Sequence, residues 1–331
     1  MDKNITFHKA LDNYLLSKKE TLKEYSYFST EWKVKKLKDI VADLQLKDFT
    51  TEELQDYVDD WSKNWSIPTI KSYVTIIKCT LKLNGYLIGN VKITSNKKSR
   101  MRLYSSEDIE KLENFFINDK VKVNYLPIAI TMYTGARIGE VLALQWLDID
   151  LDKRIIEISK NVVFLREEGR VKKVIQEPKT KASNRYVAIP NQLADILKKF
   201  QPENTENWDF YVCTGKNEPS ETRSFQRSAE RLLAKLGIQY RGFHAFRHSY
   251  ATKMMESNVP VKAISDILGH SDITTTMNIY SHTTNDFKKK IVDDVFGNEE
   301  LEKQKEKKQL YEEIISLQNM INELLAKIAK L

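Results

Sequence analysis

Apolar residues recur at helical spacing through the first 90 or so residues of the chain. Phe7, Ala10, Leu11, Tyr14 and Leu15 fall on one helical face. Ser66 stands where an N-cap belongs, with Pro68 in the first turn after it. Ile70, Tyr73, Val74, Ile77 and Leu81 then form an apolar stripe that Asn84-Gly85 ends. The spacing predicts four or five short helices, with Trp32, Trp61 and Trp65 in their core. Residues 88–103, IGNVKITSNKKSRMRL, break the pattern. They mix Gly, Asn and Ser with Lys92, Lys97, Lys98, Arg100 and Arg102, and read either as a solvated tether or as a basic strap for phosphates.

Helical periodicity resumes at YSSEDIEKLENFF, where Ser105 or Ser106 can cap a helix with acidic residues in its first turn. A long apolar helix, YLPIAITMYTG, leads into ARIGEVLALQWLDID, with Gly135 marking a turn. The period then shortens. KRIIEIS, NVVFLREEGRVKKVIQEP and NRYVAIP alternate or run β-branched, which predicts a small antiparallel sheet. Helices return from about Gln192. The fold class expected is mainly α with a small antiparallel β-sheet (α+β). Near the end, Leu310, Ile314, Leu317, Ile321, Leu324, Ile328 and Leu331 step alternately by four and three. This is a heptad seam of the kind that favours two parallel strands, though three heptads are marginal alone. Ile315, Met320 and Leu325 widen the stripe, so packing in cis competes with the preferred self-association.

Composition narrows the partner. The chain has 331 residues, and Lys plus Arg number 53 against 46 acidic residues, for a net charge of +7. This is compatible with nucleic acid without requiring it. The two cysteines, Cys79 and Cys213, lie in apolar stretches and offer neither a disulfide framework nor a CxxC site, which suits a reducing compartment. No apolar stretch of about 18 residues and no signal-peptide core is present, so a cytoplasmic protein is expected.

Four of the five histidines, His244, His248, His270 and His282, cluster toward the C-terminal side. A metal site is one reading. However, HAFRH carries Ala245, Phe246 and Arg247 where a hydrolytic zinc helix would hold its acidic base. The other reading is an anion site. His244 and Arg247 share a helix face at i,i+3 and both can donate to a phosphate oxygen. Arg137, in TGARIGE, is flanked by apolar runs and needs an anionic partner, for which Glu140 at i+3 is a candidate. Two arginines, a histidine pair and a lysine suit phosphoryl transfer, which rests on positioning and charge stabilisation.

The segments TGARIGEVLALQWLDID, PKTKASNRYVAIP and HAFRHSYATKMMESNVPVKAISDILGHSDITTTMNIYSH, in that order and spacing, resemble the tyrosine recombinases, specifically integrases of phages and conjugative transposons. The resemblance is strong over about 104–297. It implies that Arg137 and Arg247 clamp the scissile phosphate, that His244 and His270 donate to it, and that Tyr280 is the nucleophile forming a 3′-phosphotyrosyl link. It also implies a general-acid lysine at the hairpin, Lys179 in preference to Lys181. No cofactor and no metal are expected. The residues expected on the DNA backbone are Lys92, Lys97, Lys98, Arg100, Arg102 and Lys181. Glu140 and Asp148 are expected to support Arg137 and its helix rather than act as acid or base, His248 is expected to be structural, and His8 has no chemical partner evident in the sequence.

The organisation that follows is a helical core-binding domain (1–87), a basic linker (88–103), a catalytic domain (104–297) and a helical tail (298–331). No arm-binding domain is expected before the first helices. The expected partners are double-stranded DNA and further copies of the chain: a dimer on each site and a tetramer in synapsis. The C-terminal helix, or Phe287, Ile291, Val292 and Val295 before it, would contact a neighbour, with accessory DNA-bending proteins compatible. The expected function is site-specific recombination for a mobile element in a nucleoid-associated setting. The competing readings are a Xer-like dimer resolvase, a type IB topoisomerase and a regulator that has lost catalysis.

Overall fold

Two hydrophobic clusters organise the computed structural model, which describes residues 4–96, 103–167, 170–176, 184–280 and 309. Backbone contacts divide the chain into one unit of residues 1–250 with 267–271, and a second of residues 251–266 with 272–331.

In the first unit, α1 (Phe7–Lys18), α2 (Glu24–Ile40), α3 (Thr51–Ser62) and α4 (Ile67–Leu83) enclose the first cluster. Phe7, Leu11, Leu37, Leu54, Ile70 and Ile77 are fully buried in it, as one apolar face per helix requires. Thr50 opens α3 with a reciprocal capping box to Glu53. Ser66 does precede α4, but its hydroxyl shares a hydrogen bond with Thr69 Oγ1 and caps no backbone N–H.

Trp61 is buried and stacks on Trp65 at 5.4 Å. Trp32 instead is 64% exposed. It precedes the buried Val34 of α2 by two residues, which turns it about 160° away from the core stripe. Cys79 likewise falls on the exposed side of α4, whereas Cys213 is buried and burial pushes its thiol well above its ordinary value.

The start of the basic segment is no free tether. Gly89 N donates to Thr51 Oγ1, Lys92 N to Gln55 Oε1 and Ser62 Oγ to Thr94 O, which straps residues 89–94 along α3.

The second cluster is built by α5 (Ser106–Asn118), α6 (Leu126–Thr134), α7 (Ile138–Ala143), α8 (Asn191–Lys198), α9 (Thr222–Lys235) and the start of α10 (Phe243–Glu256). Ser105 caps α5, in a box with Asp108. Where one sheet was expected, the described residues form two. Strands β1 (Ile149–Asp150), β2 (Ile155–Ile158) and β5 (Arg185–Ala188) make an antiparallel sheet in the order β1-β2-β5. Among the described residues, strands β3 (Asn161–Glu167) and β4 (Arg170–Gln176) pair with each other alone. β1 and β5 flank β2 on its two sides, so β2 itself has no free edge for the hairpin. Along β5 burial alternates, with Arg185 and Val187 inward and Tyr186 and Ala188 outward, as a period of two dictates.

The second unit contains the rest of α10, most of α11 (Val261–Leu268) and α12 (Thr274–Tyr280). Asp272 Oδ1 accepts from Thr274 N at 2.9 Å at the entrance to α12. Among the described residues, no helix is long and apolar enough to cross a membrane.

Candidate functional site

The site grows from two glycines in the left-handed backbone region. Gly135 (φ 65°) ends α6, and Gly269 (φ 67°) follows the last residue of α11, the usual place of glycine past a helix end. A β-carbon at Gly135 would come within 2.7 Å of Tyr250 and Leu268, so no larger residue fits there. Arg137 comes two residues after the first glycine and His270 directly after the second. Their placement therefore follows from where these helices stop.

Three arginines from three segments meet the end of α11. Arg185 Nε donates to Ile267 O at 2.7 Å, Arg247 Nη2 to Leu268 O at 2.8 Å, and Arg137 Nη2 to Gly269 O at 3.1 Å. Terminal helix carbonyls lack partners within their own helix and carry its negative dipole end, so cations belong there. Arg247 also donates from Nη1 to Gly135 O at 2.8 Å, which joins the two turns. Arg247 is only 2% exposed, while the side chain of Arg137 is 38% exposed and reaches the surface. The sequence pairing of Arg137 with Glu140 is present, with Nη1 to Oε1 at 2.8 Å. Glu140 is shared, however, and its Oε2 lies 3.0 Å from Arg185 Nη2.

The electrostatics match this crowding. Burial first, then the Arg247 and Arg137 guanidiniums, pull the His270 imidazole down to about 4. His244 is lowered by burial, then by the same two arginines, although the residue as a whole keeps exposed surface. Its ring meets that of His248 edge-on at 4.5 Å. His248 is pulled down to about 4 by burial, then by His244 and Arg247. Arg247 itself is pulled down to about 9 by burial, then by Arg137, against the opposing pull of Glu140. It remains charged at neutral pH. Burial acts to raise Glu140, yet its hydrogen bonds and charge contacts with Arg185 and Arg137 win, and its carboxyl lies below its ordinary value. Neutral histidines among guanidiniums make a site that an anion would relieve.

The other expected residues fall as follows. Lys92 is exposed beside α3. Lys97, Lys98, Arg100, Arg102, Lys179, Lys181 and His282 lie outside the described residues, as do residues 287–296 and the heptad seam. Tyr280 is the last residue of α12, and its side chain lies outside the described residues. Asp148 does not touch Arg137. It accepts from Gln145 N at 2.8 Å and pairs with Lys160 at 2.9 Å. His8 does have partners, donating from Nε2 to Val41 O and from its backbone N–H to Asp43. Among the described residues, no group of three or more His, Cys, Asp or Glu could hold a metal ion. The residue that sequence reasoning missed is Arg185. Its signal was its inward parity with Val187 in NRYVAIP.

Comparison with known proteins adds the following. The family model described as "Phage integrase family" matches residues 102–286. A tyrosine recombinase XerC-like protein of Caldanaerobacter subterraneus subsp. tengcongensis is 32% identical over 203 residues, covering 56% of this chain and 51% of that protein. The chain thus spans about half the length of that relative. The integrase of Staphylococcus phage L54a is 25% identical over 320 residues, covering 85% of this chain and 90% of the integrase. Among solved structures, the Tn1549 transposon integrase in complex with a circular intermediate DNA superposes with a TM-score of 0.71 at 20% identity, over 88% of this chain and 99% of that one. That last likeness is one of fold.

Proposed function

The chain belongs to the phage integrase family, and from that premise we propose that it cuts and rejoins double-stranded DNA at defined sites, as the recombinase of a mobile element. The observation that carries the reading is the meeting of Arg137, Arg247 and Arg185 on the three carbonyls directly before His270. Cations held this tightly, with neutral imidazoles beside them, are preorganised for the charge that a phosphoryl-transfer transition state develops.

The chemistry assigned to these residues is as follows. The Tyr280 hydroxyl gives its proton to His244 and attacks the scissile phosphorus, and the bond to the 5′ oxygen breaks, leaving a 3′-phosphotyrosyl ester. The leaving 5′ oxygen takes a proton from Lys179, with Lys181 as the alternative donor. A free 5′ hydroxyl from another strand then attacks the ester, releases Tyr280 and returns the proton. A phenol is a poor nucleophile near neutral pH. Guanidiniums beside the phosphate favour the phenolate and the developing phosphorane charge together. Arg137 and Arg247 hold the non-bridging oxygens, and His244 and His270 donate to them. The ester conserves the energy of the phosphodiester bond, so rejoining needs no nucleotide, and two arginines, two histidines and a lysine balance the charge without a metal.

The substrate class is double-stranded DNA, met by the exposed Lys92 and the basic residues that follow it. The protein works as a dimer on each site and a tetramer in synapsis, within the cytoplasm at the nucleoid. The likeness to the XerC-like recombinase favours a second reading, resolution of replicon dimers, which sequencing of the junctions formed in cells would separate from integration.

A nicked half-site that sheds its 5′ end should trap a covalent adduct with the wild-type protein, visible on a denaturing gel and undiminished by EDTA. Tyr280→Phe should bind the same DNA and form no adduct. An adduct from the Phe variant, or strict dependence on a divalent ion, would sink the mechanism.

A further inference from the structure

An inward-facing arginine on a short strand raises a question that clamping the phosphate does not answer. Arg185 alternates with Val187 toward the second hydrophobic cluster, and its side chain is only 7% exposed. A guanidinium there is costly to desolvate unless its donors are matched. They are matched in two directions. Nη2 and Nη1 reach Glu140 Oε2 and Oε1 at 3.0 and 3.4 Å, and Nε reaches Ile267 O at 2.7 Å. Both targets control other groups. Glu140 accepts the Arg137 backbone N–H on Oε2 at 2.9 Å and Arg137 Nη1 on Oε1 at 2.8 Å, so the carboxylate sets the arginine's direction. Ile267 lies three residues before His270, in the same turn as Gly269. A β-carbon on Gly269 would stand 2.8 Å from Arg185 Nη1, so guanidinium and turn are packed face to face.

We propose that Arg185 is a positioning residue for strand cleavage: it ties the carboxylate that aims Arg137 to the turn that presents His270, so that both groups meet one phosphate in register. The proposal rests on the strand-transfer reading above. Arg185 itself touches no substrate, being enclosed by Glu140 and the turn. The fork geometry matters as much as the charge. An ammonium presents a point charge on a flexible stem and cannot span a bidentate carboxylate and a carbonyl as a planar guanidinium does. Misplacing reacting groups by about 1 Å costs on the order of 100-fold in rate, whereas binding of the DNA backbone, spread over many phosphates, is barely changed.

Single-turnover cleavage of the nicked half-site by wild type, Arg185→Met and Arg185→Lys, with DNA affinity and thermal melting measured alongside, tests this. The expected result for Arg185→Met is a rate lower by about 100-fold with half-site Kd within about threefold of wild type. Arg185→Lys should recover melting temperature and about one tenth of the wild-type rate. If Arg185→Met does not fold, Arg185→Lys carries the test alone: a slowed rate at unchanged Kd supports the role. A wild-type rate in either folded variant overturns the role. So does a Lys variant no faster than Met, or a loss of rate that only follows loss of DNA affinity. No adduct from wild type would overturn the strand-transfer reading and this proposal together. An active wild type with an equally active Arg185→Met would remove this proposal alone.

Discussion

Glu140 binds Arg137 twice, taking its backbone N–H on Oε2 at 2.9 Å and its Nη1 on Oε1 at 2.8 Å. The pair therefore fixes both the start of α7 and the direction of the side chain that leaves it. Because Arg185 also pairs with the same carboxylate, Glu140→Ala would remove a buried charge that two arginines share. The expected cost is about 3–5 kcal/mol of unfolding free energy, to be read from urea denaturation. A loss below about 1 kcal/mol would mean that the pair is replaceable by solvent.

Close packing of α7 on β3 gives a second expectation. A β-carbon at Gly139 would overlap Asn161 Oδ1 and lie 2.9 Å from the carbonyl oxygen of Val162. The second of these is backbone and cannot rotate away. Gly139→Ala is expected to destabilise by about 1–3 kcal/mol through overpacking. Asn161→Ala in the same chain should recover only part, because Val162 O stays in place. Full recovery in that double variant would show that the side chain alone sets the limit.

Acid should weaken the fold in a defined window. His270 and His248 are held at about 4 against an ordinary 6.5, burial being the first cause in each. The unfolded chain then binds more protons than the folded one between those values, so stability falls as pH drops through that range. Glu140, held below its ordinary 4.5, acts in the same sense at lower pH: its contribution is present above that value and is lost as the folded carboxyl titrates. The melting temperature should hold above about pH 7 and decline steadily toward about pH 4. His270→Gln should flatten the upper part of the decline. A melting temperature that rises on acidification would contradict the assigned directions.

Removal of the tail tests its role apart from the chemistry. Truncation after Asn298 deletes the heptad seam from Leu310 to Leu331. Adduct formation on a single half-site should be unchanged, while assembly of paired sites, followed by light scattering, should weaken. Unaltered assembly together with full recombination would remove self-association through the seam.

Much of the architecture was legible because it repeats locally. The α4 stripe from Ile70 to Leu81, the Ser105 cap and the alternation in NRYVAIP are each written within about one or two turns of chain, and each appears in the fold. Trp32 shows the limit. Residue type suggested a core position, but its phase on α2 points it outward. Asp148 shows another: nearness in sequence to Arg137 suggested support, while the chain turns so that Lys160 and the Gln145 N–H take its carboxylate.

The candidate site divides along the same line. By itself the sequence determined which groups were available: Arg137 with Glu140 one helical turn away, His244 with Arg247 on one face, and His270 in the same C-terminal cluster. The first two pairings span four residues or fewer and follow from helical geometry. Only the tertiary structure decided that Arg137, Arg185 and Arg247 meet on successive carbonyls, since those contacts join residues 132, 82 and 21 positions apart. A buried charge takes whichever partner the packing brings within reach, and that choice has no local signature.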